Sequence, residues 1–357
     1  MLYKLDWEKT QQKFKEYWAK ENHDRPLISI TAPRDGYKKN LPKAPEKLEE
    51  RWLDTDYVIK RGRENMAATY YGGEAFPMNW PNLGPDIFGA TFGCDIIFEE
   101  DTSYAKPIID NWHDQPLVFD PQNKWWQKMM HMTEAMVADA KGDYFVGITD
   151  LHAGADGLVS LRGPENLCLD LYDHLEVVKK ALFQLLPVFQ KQLDTLYDMT
   201  TKNLAGSSNW MGVWHPEKWY VTSSDFICMI SEEQFEHFVL PELLEEINWL
   251  SERTIFHLDG PGALKHLDRL LEIPNLSGIQ WVYGAGQPTA AHWVPILKKI
   301  QNAGKLIQVE IVPEDLDVLL EELNPEGVMY FTKPRQTEEE AKAIIKKMEN
   351  AYKKKLY

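Results

Sequence analysis

Short apolar segments alternate with amphipathic helical patterns along most of this chain. The apolar segments end at Gly, Pro or Asp, which is typical of strands buried on both faces of a parallel sheet. Eight segments fit this description: 27–30, 94–98, 143–149, 220–227, 254–257, 278–282, 305–309 and 327–331. Helical patterns occupy 164–192, 231–252, 293–302, 314–323 and 337–352. This alternation predicts a parallel α/β sheet, and eight strands favour a closed (β/α)8 TIM barrel over an open sheet.

The length of the chain agrees with a single domain. A chain of 357 residues lies within the range of one α/β barrel, and no low-complexity linker divides it. Residues 32–93 are rich in Pro, Gly and Trp and carry no clear alternation. We therefore predict one barrel domain over residues 1–357, in which 32–93 form a lid-like N-terminal insertion over the barrel mouth.

Charge and cysteine content exclude several classes of protein. The net charge is −16, and the only basic run is Lys353 to Lys355, so nucleic acid and anionic membranes are not expected as partners. The three cysteines are far apart, which predicts a reducing compartment without disulfides. Neither a signal peptide nor a membrane-spanning apolar run is evident. The sequence predicts a cytoplasmic protein.

Polar side chains gather at the ends of the predicted strands. In TIFHLDGPG, residues 254–262, His257 and Asp259 are two residues apart, so both project to the same side of a strand. Strand ends of a barrel meet at its mouth, where active sites lie. The residues expected there are Asp150, His152, Asp156, Asp225, His257, Asp259 and Glu310. The pattern is compatible with a metal site, with an acid–base site, or with a structural hydrogen bond between His257 and Asp259.

Tryptophan is unusually frequent, with 13 in the chain. Several stand beside Gly, Pro or His in predicted loops, where large rigid rings commonly line ligand pockets. We predict a substrate pocket lined by at least two of Trp80, Trp210, Trp214, Trp281 and Tyr283. The segment GAGQP, residues 284–288, lacks the spacing and the lysine of a P-loop. It predicts a backbone-lined pocket edge.

Three motifs resemble the uroporphyrinogen decarboxylase superfamily, which includes the corrinoid-dependent methyltransferases. They are LRGPENLCLDLYDHLE (161–176), SDFICMISEEQFEHFVLPE (224–242) and FHLDG (256–260). Their order and spacing match about residues 90–350, whereas the first 90 residues match poorly. The resemblance implies the same barrel that the alternation predicts.

The chain departs from the decarboxylases where they bind substrate carboxylates. The region after the first strand, ITAPRDGY (30–37), offers only Arg34 as a cation. The eighth strand ends in FTKPR (331–335) instead of a Gly-His-Gly turn. Because a porphyrinogen carries several carboxylates, it needs more cations than these loops provide. Decarboxylation of a porphyrinogen is therefore not expected.

The resemblance to the methyltransferases implies zinc, which they hold with a His-x-Cys pair after strand five and a later cysteine. Here the pair is His257 and Asp259, and the later thiolate is missing. Carboxylates also bind zinc, and Glu310 is the expected third ligand. Zinc with oxygen and nitrogen ligands is a harder Lewis acid, suited to a methoxy or hydroxyl oxygen. Loss of the metal is the alternative.

The sequence therefore predicts a methyltransferase that moves a methyl group from a small methylated substrate, of methoxylated aromatic or methylamine type, to a corrinoid protein. His257, Asp259, Asp150, His152 and Asp225 are the expected catalytic residues. Cobalamin is expected on that partner because the chain lacks an AspxHisxxGly motif. Two alternatives stay open: a decarboxylase or lyase acting on a smaller acid, and a non-catalytic barrel that binds a ligand such as a quaternary amine. A monomer or homodimer is expected.

Overall fold

The strands form one large sheet and two small ones. The computed structural model describes residues 1–112 and 117–355. The strands are β1 (Leu27–Pro33), β2 (Thr69–Gly73), β3 (Met78–Asn79), β4 (Asp95–Phe98), β5 (Ser103–Lys106), β6 (Phe145–Val146), β7 (Tyr220–Ser223), β8 (Thr254–Asp259), β9 (Gly278–Val282), β10 (Leu306–Glu310) and β11 (Val328–Phe331). The large sheet has seven strands in the order β2-β1-β11-β10-β9-β8-β7.

Six strands of the large sheet run parallel. Each of β1, β11, β10, β9, β8 and β7 pairs in parallel with its neighbour, and β2 pairs antiparallel with β1 at the edge. These strands are buried on both faces; in β8, for example, the first three residues, Thr254 to Phe256, are all buried. Burial of consecutive residues means that both faces of the strand are covered, as the sequence pattern predicts. The prediction of an α/β fold with a parallel sheet is confirmed.

The two small sheets correct the predicted set of strands. β3 and β6 pair in parallel, whereas β4 and β5 form an antiparallel hairpin. The prediction that 94–98 belongs to the parallel sheet is wrong, because the only partner of β4 among the described residues is β5. The alternation of exposed and buried residues in β4 is that of a hairpin with one solvated face. The sequence pattern missed β3 because only two residues form it.

Helices connect the strands. They are α1 (Trp7–Ala19), α2 (Leu48–Leu53), α3 (Thr55–Ala67), α4 (Ile87–Ala90), α5 (Lys124–Ala140), α6 (Gly154–Arg162), α7 (Pro164–Asp173), α8 (Leu175–Thr200), α9 (Glu232–Gln234), α10 (Leu240–Leu250), α11 (Leu267–Leu271), α12 (Val294–Asn302), α13 (Leu316–Glu322) and α14 (Glu338–Lys355). Short 3₁₀ helices cover Asp225–Met229, Pro261–His266, Ala290–Trp293 and Pro313–Asp315, and a π-helical turn covers Phe235–Val239. In the part of the chain that the structure describes, no helix has the length and apolarity needed to cross a bilayer.

Two predicted helices differ from the observed ones in instructive ways. The predicted helix 164–192 is divided at His174 into α7 and α8. The predicted helix 231–252 begins, as expected, with Ser231 as its N-cap, and Ser231 and Gln234 form a reciprocal capping box. It continues through the π-helical turn Phe235–Val239 into α10, so one pattern covers three helical geometries.

A buried ion pair fixes the edge of the large sheet. The Arg25 guanidinium donates two hydrogen bonds to the Glu74 carboxylate, at 2.9 and 2.6 Å. The same carboxylate accepts from the backbone N–H of Ile28 at 2.9 Å. Arg25 and Glu74 are 6% and 2% exposed. Since Glu74 follows β2 and Ile28 lies in β1, the pair joins the two strands.

The segment 32–93 is structured along much of its length. It supplies the end of β1, the helices α2, α3 and α4, and the strands β2 and β3. Its role as a lid over the mouth stays a prediction.

Candidate metal and acid–base site

Three side chains able to bind a metal converge at the end of β8. His257 and Asp259 are two residues apart in this strand. Asp225 begins the 3₁₀ helix that follows β7, the strand paired with β8. One ligand atom from each of the three lies within 4.8 Å of the other two. His257 Nε2 is 3.8 Å from Asp225 Oδ1.

The donor set of this cluster fits zinc. One imidazole nitrogen and two carboxylate oxygens match a catalytic zinc site, which has three protein ligands and an open position for substrate or water. Asp225 exposes 52% of its side chain, and Asp259 is also exposed. The cluster is therefore accessible to a small molecule.

A chain of amide side chains orients His257. Gln308 Nε2 donates to the carbonyl of Met211 at 2.9 Å, which leaves Gln308 Oε1 to accept from Gln280 Nε2 at 2.7 Å. Gln280 Oε1 in turn accepts from His257 Nδ1. Because Nδ1 holds the proton, the neutral imidazole keeps the lone pair of Nε2 free on the side of the two carboxylates. A metal ligand needs this tautomer.

Asp156 holds the segment that carries Asp225. Its carboxylate oxygens accept hydrogen bonds from the backbone N–H groups of Asp225 at 2.9 Å and Phe226 at 3.1 Å. About half of the Asp225 side chain is accessible, yet the protein atoms packed around its carboxylate raise its pKa to about 6, and the charge of Asp156 adds to this rise. His257 and His152 oppose the rise, because either ring lowers the pKa of Asp225 when it is protonated.

A buried histidine lies beside the cluster. His152 Nε2 is 3.0 Å from Asp150 Oδ1, and His152 Nδ1 is 3.0 Å from Ser223 Oγ and 3.7 Å from Asp156 Oδ2. Burial alone lowers the pKa of His152, but the two carboxylates outweigh burial and hold it well above the ordinary value. The two carboxylates thus favour the imidazolium form, which can supply a proton.

The indole ring of Trp210 joins the two histidines. It stacks on His152 with ring centroids 6.3 Å apart and meets His257 edge-on at 5.1 Å. Its Nε1 is buried without an acceptor among the described residues, and Thr149 Oγ1 and Ser224 Oγ likewise lack a partner there. Buried polar atoms without hydrogen bonds are rare in proteins. These three atoms therefore have unused hydrogen-bonding capacity near the cluster.

Two of the five predicted pocket aromatics lie in the core instead. Trp214 and Trp281 are 2% and 0% exposed. Trp214 donates from Nε1 to the carbonyl of Ala205 and packs edge-on against Trp7, and Trp281 packs against Trp293. Both rings are therefore packed among core side chains, and their role in the wall of a substrate pocket stays a prediction. Trp281 lies in β9, a strand buried on both faces, so its ring packs into the core.

Trp80 and Tyr283 line two separate cavities. Trp80 lies with Trp52 in a cavity of about 460 Å³ bordered by α2, α3 and the end of β3. Tyr283 lies with Glu310 in a cavity of about 400 Å³ at the ends of β9, β10 and β11. The three potential metal ligands line neither cavity. Of the predicted aromatic residues, Trp210 is the one that contacts the cluster.

Glu310 is replaced by Asp225 as the third potential ligand. In the described part of the chain, the group within 4.8 Å contains Asp225 and not Glu310. Glu310 ends β10, two strands from β8, and its Oε1 is 3.8 Å from Lys333 Nζ. Asp225 follows the strand directly beside β8, and the 3₁₀ turn brings it to His257.

Sequence reasoning missed the two glutamines that orient His257. Gln280 and Gln308 stand in the middle of GIQWV and LIQVE, and both are buried in parallel strands. A single amide inside an otherwise apolar strand is a signal, since a buried polar group needs a hydrogen-bond partner. It indicates a polar network across the sheet and does not reveal which histidine the network reaches.

Comparison with known proteins identifies the fold. No family model matches the chain, and no curated protein matches its sequence. A solved structure of a methyltransferase from Methanosarcina mazei is similar, with a TM-score of 0.62 and 10% sequence identity. The likeness covers 98% of this chain and 99% of that chain. At this identity, it shows that the two proteins share a fold.

Proposed function

We propose that this protein is a methyltransferase in which His257, Asp259 and Asp225 hold zinc, and that it moves a methyl group from a small methylated donor to a corrinoid carried by a separate protein. The observation that carries the proposal is the cluster itself, a histidine and two carboxylates at one strand end, with the histidine held in its ligating tautomer. The fold shared with a methyltransferase supports it.

The zinc would act as a Lewis acid on the oxygen or nitrogen that loses the methyl group, which suits an oxygen- and nitrogen-ligated metal. The chain's own residues do the remaining work. Gln280 keeps the proton on His257 Nδ1, so that Nε2 is free. Trp210 packs edge-on against His257 and places an aromatic ring beside the cluster. The imidazolium of His152 is the proton source for the heteroatom that the methyl group leaves.

The same proposal includes a closed eight-stranded barrel formed by the six parallel strands of the large sheet and the pair β3 and β6. Contacts of the segment that follows β6 support it. Ile148 N donates to the carbonyl of Ser208, in the segment that precedes β7, at 2.9 Å. The Tyr220 hydroxyl, in β7, donates to the carbonyl of Thr149 and accepts from Leu151 N, both at 2.6 Å. The segment after β6 thus lies against β7.

The test is a metal assay combined with a donor panel. Zinc-loaded protein is incubated with methoxylated aromatics, methylamines and a reduced corrinoid protein, and methylation of the corrinoid is followed by absorbance. We expect one zinc per chain and methylation with at least one donor, and loss of both in His257→Ala. Absence of zinc, or corrinoid methylation that persists in His257→Ala, would refute the proposal.

A decarboxylase or lyase acting on a small acid is the second candidate. The observation that favours it is the buried His152, whose two ring nitrogens face Asp150 and Asp156. Such a histidine can donate a proton to a carbanion without any metal. This candidate predicts activity that needs neither zinc nor a corrinoid, and release of CO₂ by apoprotein distinguishes it from methyl transfer.

A further inference from the structure

We propose that the cavity at the ends of β9, β10 and β11 is a binding site for a single carboxylate group, and that it anchors the carboxylate end of the methyl donor. The cavity measures about 400 Å³, within the size range of small-molecule sites. Its lining includes the glycine-rich loop 284–287, Tyr283, Glu310, Lys333 and Arg335. The binding site stands on these residues alone, whereas the identity of its ligand as the methyl donor rests on the proposed function.

Arg335 has the position and the free donors for this role. Its backbone N–H donates to the carbonyl of Thr31 at 2.7 Å, and its Nε donates to the carbonyl of Lys333 at 3.0 Å. No ion pair engages its terminal nitrogens within residues 1–112 and 117–355, although the chain carries a net charge of −16. An anchored guanidinium with free terminal N–H groups matches the two oxygens of a carboxylate.

The net charge of the cavity lining favours a ligand group with a single negative charge. Lys333 Nζ is 3.8 Å from Glu310 Oε1, which is longer than the ~2.7–2.9 Å of a charge-assisted hydrogen bond, so the ammonium keeps donor capacity. Two cations and one carboxylate leave the cavity with one net positive charge. A carboxylate neutralises that charge, whereas a phosphate dianion exceeds it and faces Glu310. This balance favours a carboxylate over a phosphate.

The loop opposite these cations exposes its backbone to the cavity. Gly284 and Gly286 have positive φ values of +84° and +76°. A Cβ on Gly286 would meet no atom within 4 Å, so open space lies there. Backbone N–H groups in such turns form concavities that bind anions. Tyr283 also lines the cavity and carries a hydroxyl group that can donate a hydrogen bond.

The cavity begins beside the metal cluster. Val282 lines it and is the register partner of Asp259 across β8 and β9, which places the two about 5 Å apart at Cα. Gly260 N also donates to the carbonyl of Val282 at 2.8 Å. A ligand whose carboxylate lies between Arg335 and the glycine loop can therefore extend its other end toward Asp259 and His257.

The test measures binding without turnover. Acetate, benzoate and 4-methoxybenzoate are titrated into full-length metal-free protein by NMR, with 4-methoxybenzamide as the neutral analogue and inorganic phosphate as the competing oxyanion. We expect at least one carboxylate to bind, with the amide and phosphate each about tenfold weaker or more. No carboxylate binding up to about 10 mM, or binding of the amide or phosphate as tight as that of the acid, would overturn the inference.

Variants locate the site. Arg335→Gln should weaken carboxylate binding about tenfold, and Lys333→Gln, at a position 78% exposed, tests the same cavity with little effect on folding. Arg51→Gln, in the cavity beside Trp80, is the matched control and should bind as wild type does. Unchanged binding in both Arg335→Gln and Lys333→Gln refutes the inference. Carboxylate binding that persists in His257→Ala without methyl transfer by wild type refutes the proposed function alone.

Discussion

The imidazole of His257 depends on atoms that never contact a substrate. The carbonyl of Met211 can only accept a hydrogen bond, and this fixes the amide of Gln308, then that of Gln280, then the proton of His257. Each group in the relay has one orientation that satisfies its neighbour. This relay of Gln308 and Gln280 positions His257. Its loss should therefore lower metal affinity more than it lowers the stability of the fold.

Replacing Gln280 tests the relay. Gln280→Leu removes the acceptor at His257 Nδ1, so the proton can move to Nε2 and compete with the metal. We expect zinc affinity to fall by roughly 10–100-fold, which is typical for loss of a residue that hydrogen-bonds to a metal ligand. Competition with a chromophoric chelator measures the affinity. Gln12→Leu, an exposed position on α1, is the control. Wild-type affinity in Gln280→Leu would show that the relay does not set the tautomer.

At the scale of single elements, α6 and the 3₁₀ helix Asp225–Met229 are tied together by one carboxylate. Asp156 lies in the first turn of α6 and accepts from the first two N–H groups of the 3₁₀ helix. Asp156→Ala should free this helix and with it Asp225. We expect zinc affinity to fall about tenfold while His257 and Asp259 keep the metal weakly bound. Asp198→Ala, exposed on α8, should have no effect; equal affinity in both variants would contradict this role of Asp156.

Helix α10 contains two buried acids one turn apart, Glu242 and Glu246, which are 2% and 5% exposed. Burial raises the pKa of Glu246 from 4.5 to about 8. A raised pKa means that the folded state binds the proton more tightly than the unfolded state. The free energy of unfolding should therefore fall as pH rises from about 4.5 toward 8.

Glu246→Gln should reduce this dependence, because the amide stays neutral across the whole range and Glu242 is then the one buried acid of the pair that still titrates. Urea unfolding at pH 5 and pH 8 measures the difference in stability for the variant and for wild type. Glu245→Gln changes the neighbouring exposed acid on the same helix and is the matched control. Equal slopes in wild type and Glu246→Gln would show that Glu246 is not buried in its protonated form.

For the whole molecule, stability depends on the ion pair that joins β1 to the edge strand β2 of the large sheet. Arg25 and Glu74 are buried together and join β1 to β2. Glu74→Ala leaves a buried guanidinium without its counter-charge and the N–H of Ile28 without an acceptor, and we expect the free energy of unfolding to fall by about 3–5 kcal/mol. Glu100→Ala removes an exposed partner of Arg51 and should cost about 1 kcal/mol or less, by the same urea measurement. A loss for Glu74→Ala no larger than for Glu100→Ala would contradict this role.

The sequence pattern predicts the parallel sheet because strands buried on both faces, such as those from β7 to β11, consist mostly of consecutive apolar residues. It fails at β3, where two residues are too few for any period, and at 94–98, where a hairpin strand resembles a buried one. For the site, the pattern correctly brings His257 and Asp259 to one strand end. It cannot choose between Asp225 and Glu310, because that choice depends on a 3₁₀ turn after β7 that no periodicity marks.

The most direct test of the account is the location of the metal. Crystals of zinc-loaded protein measured above and below the zinc absorption edge give an anomalous difference map that shows zinc alone. The proposed zinc site predicts one strong peak bonded to His257 Nε2, Asp259 and Asp225, at about 2.0–2.2 Å from each ligand atom. A fully loaded crystal with no peak at these three residues, or with its peak at Glu310 and Lys333, would contradict it.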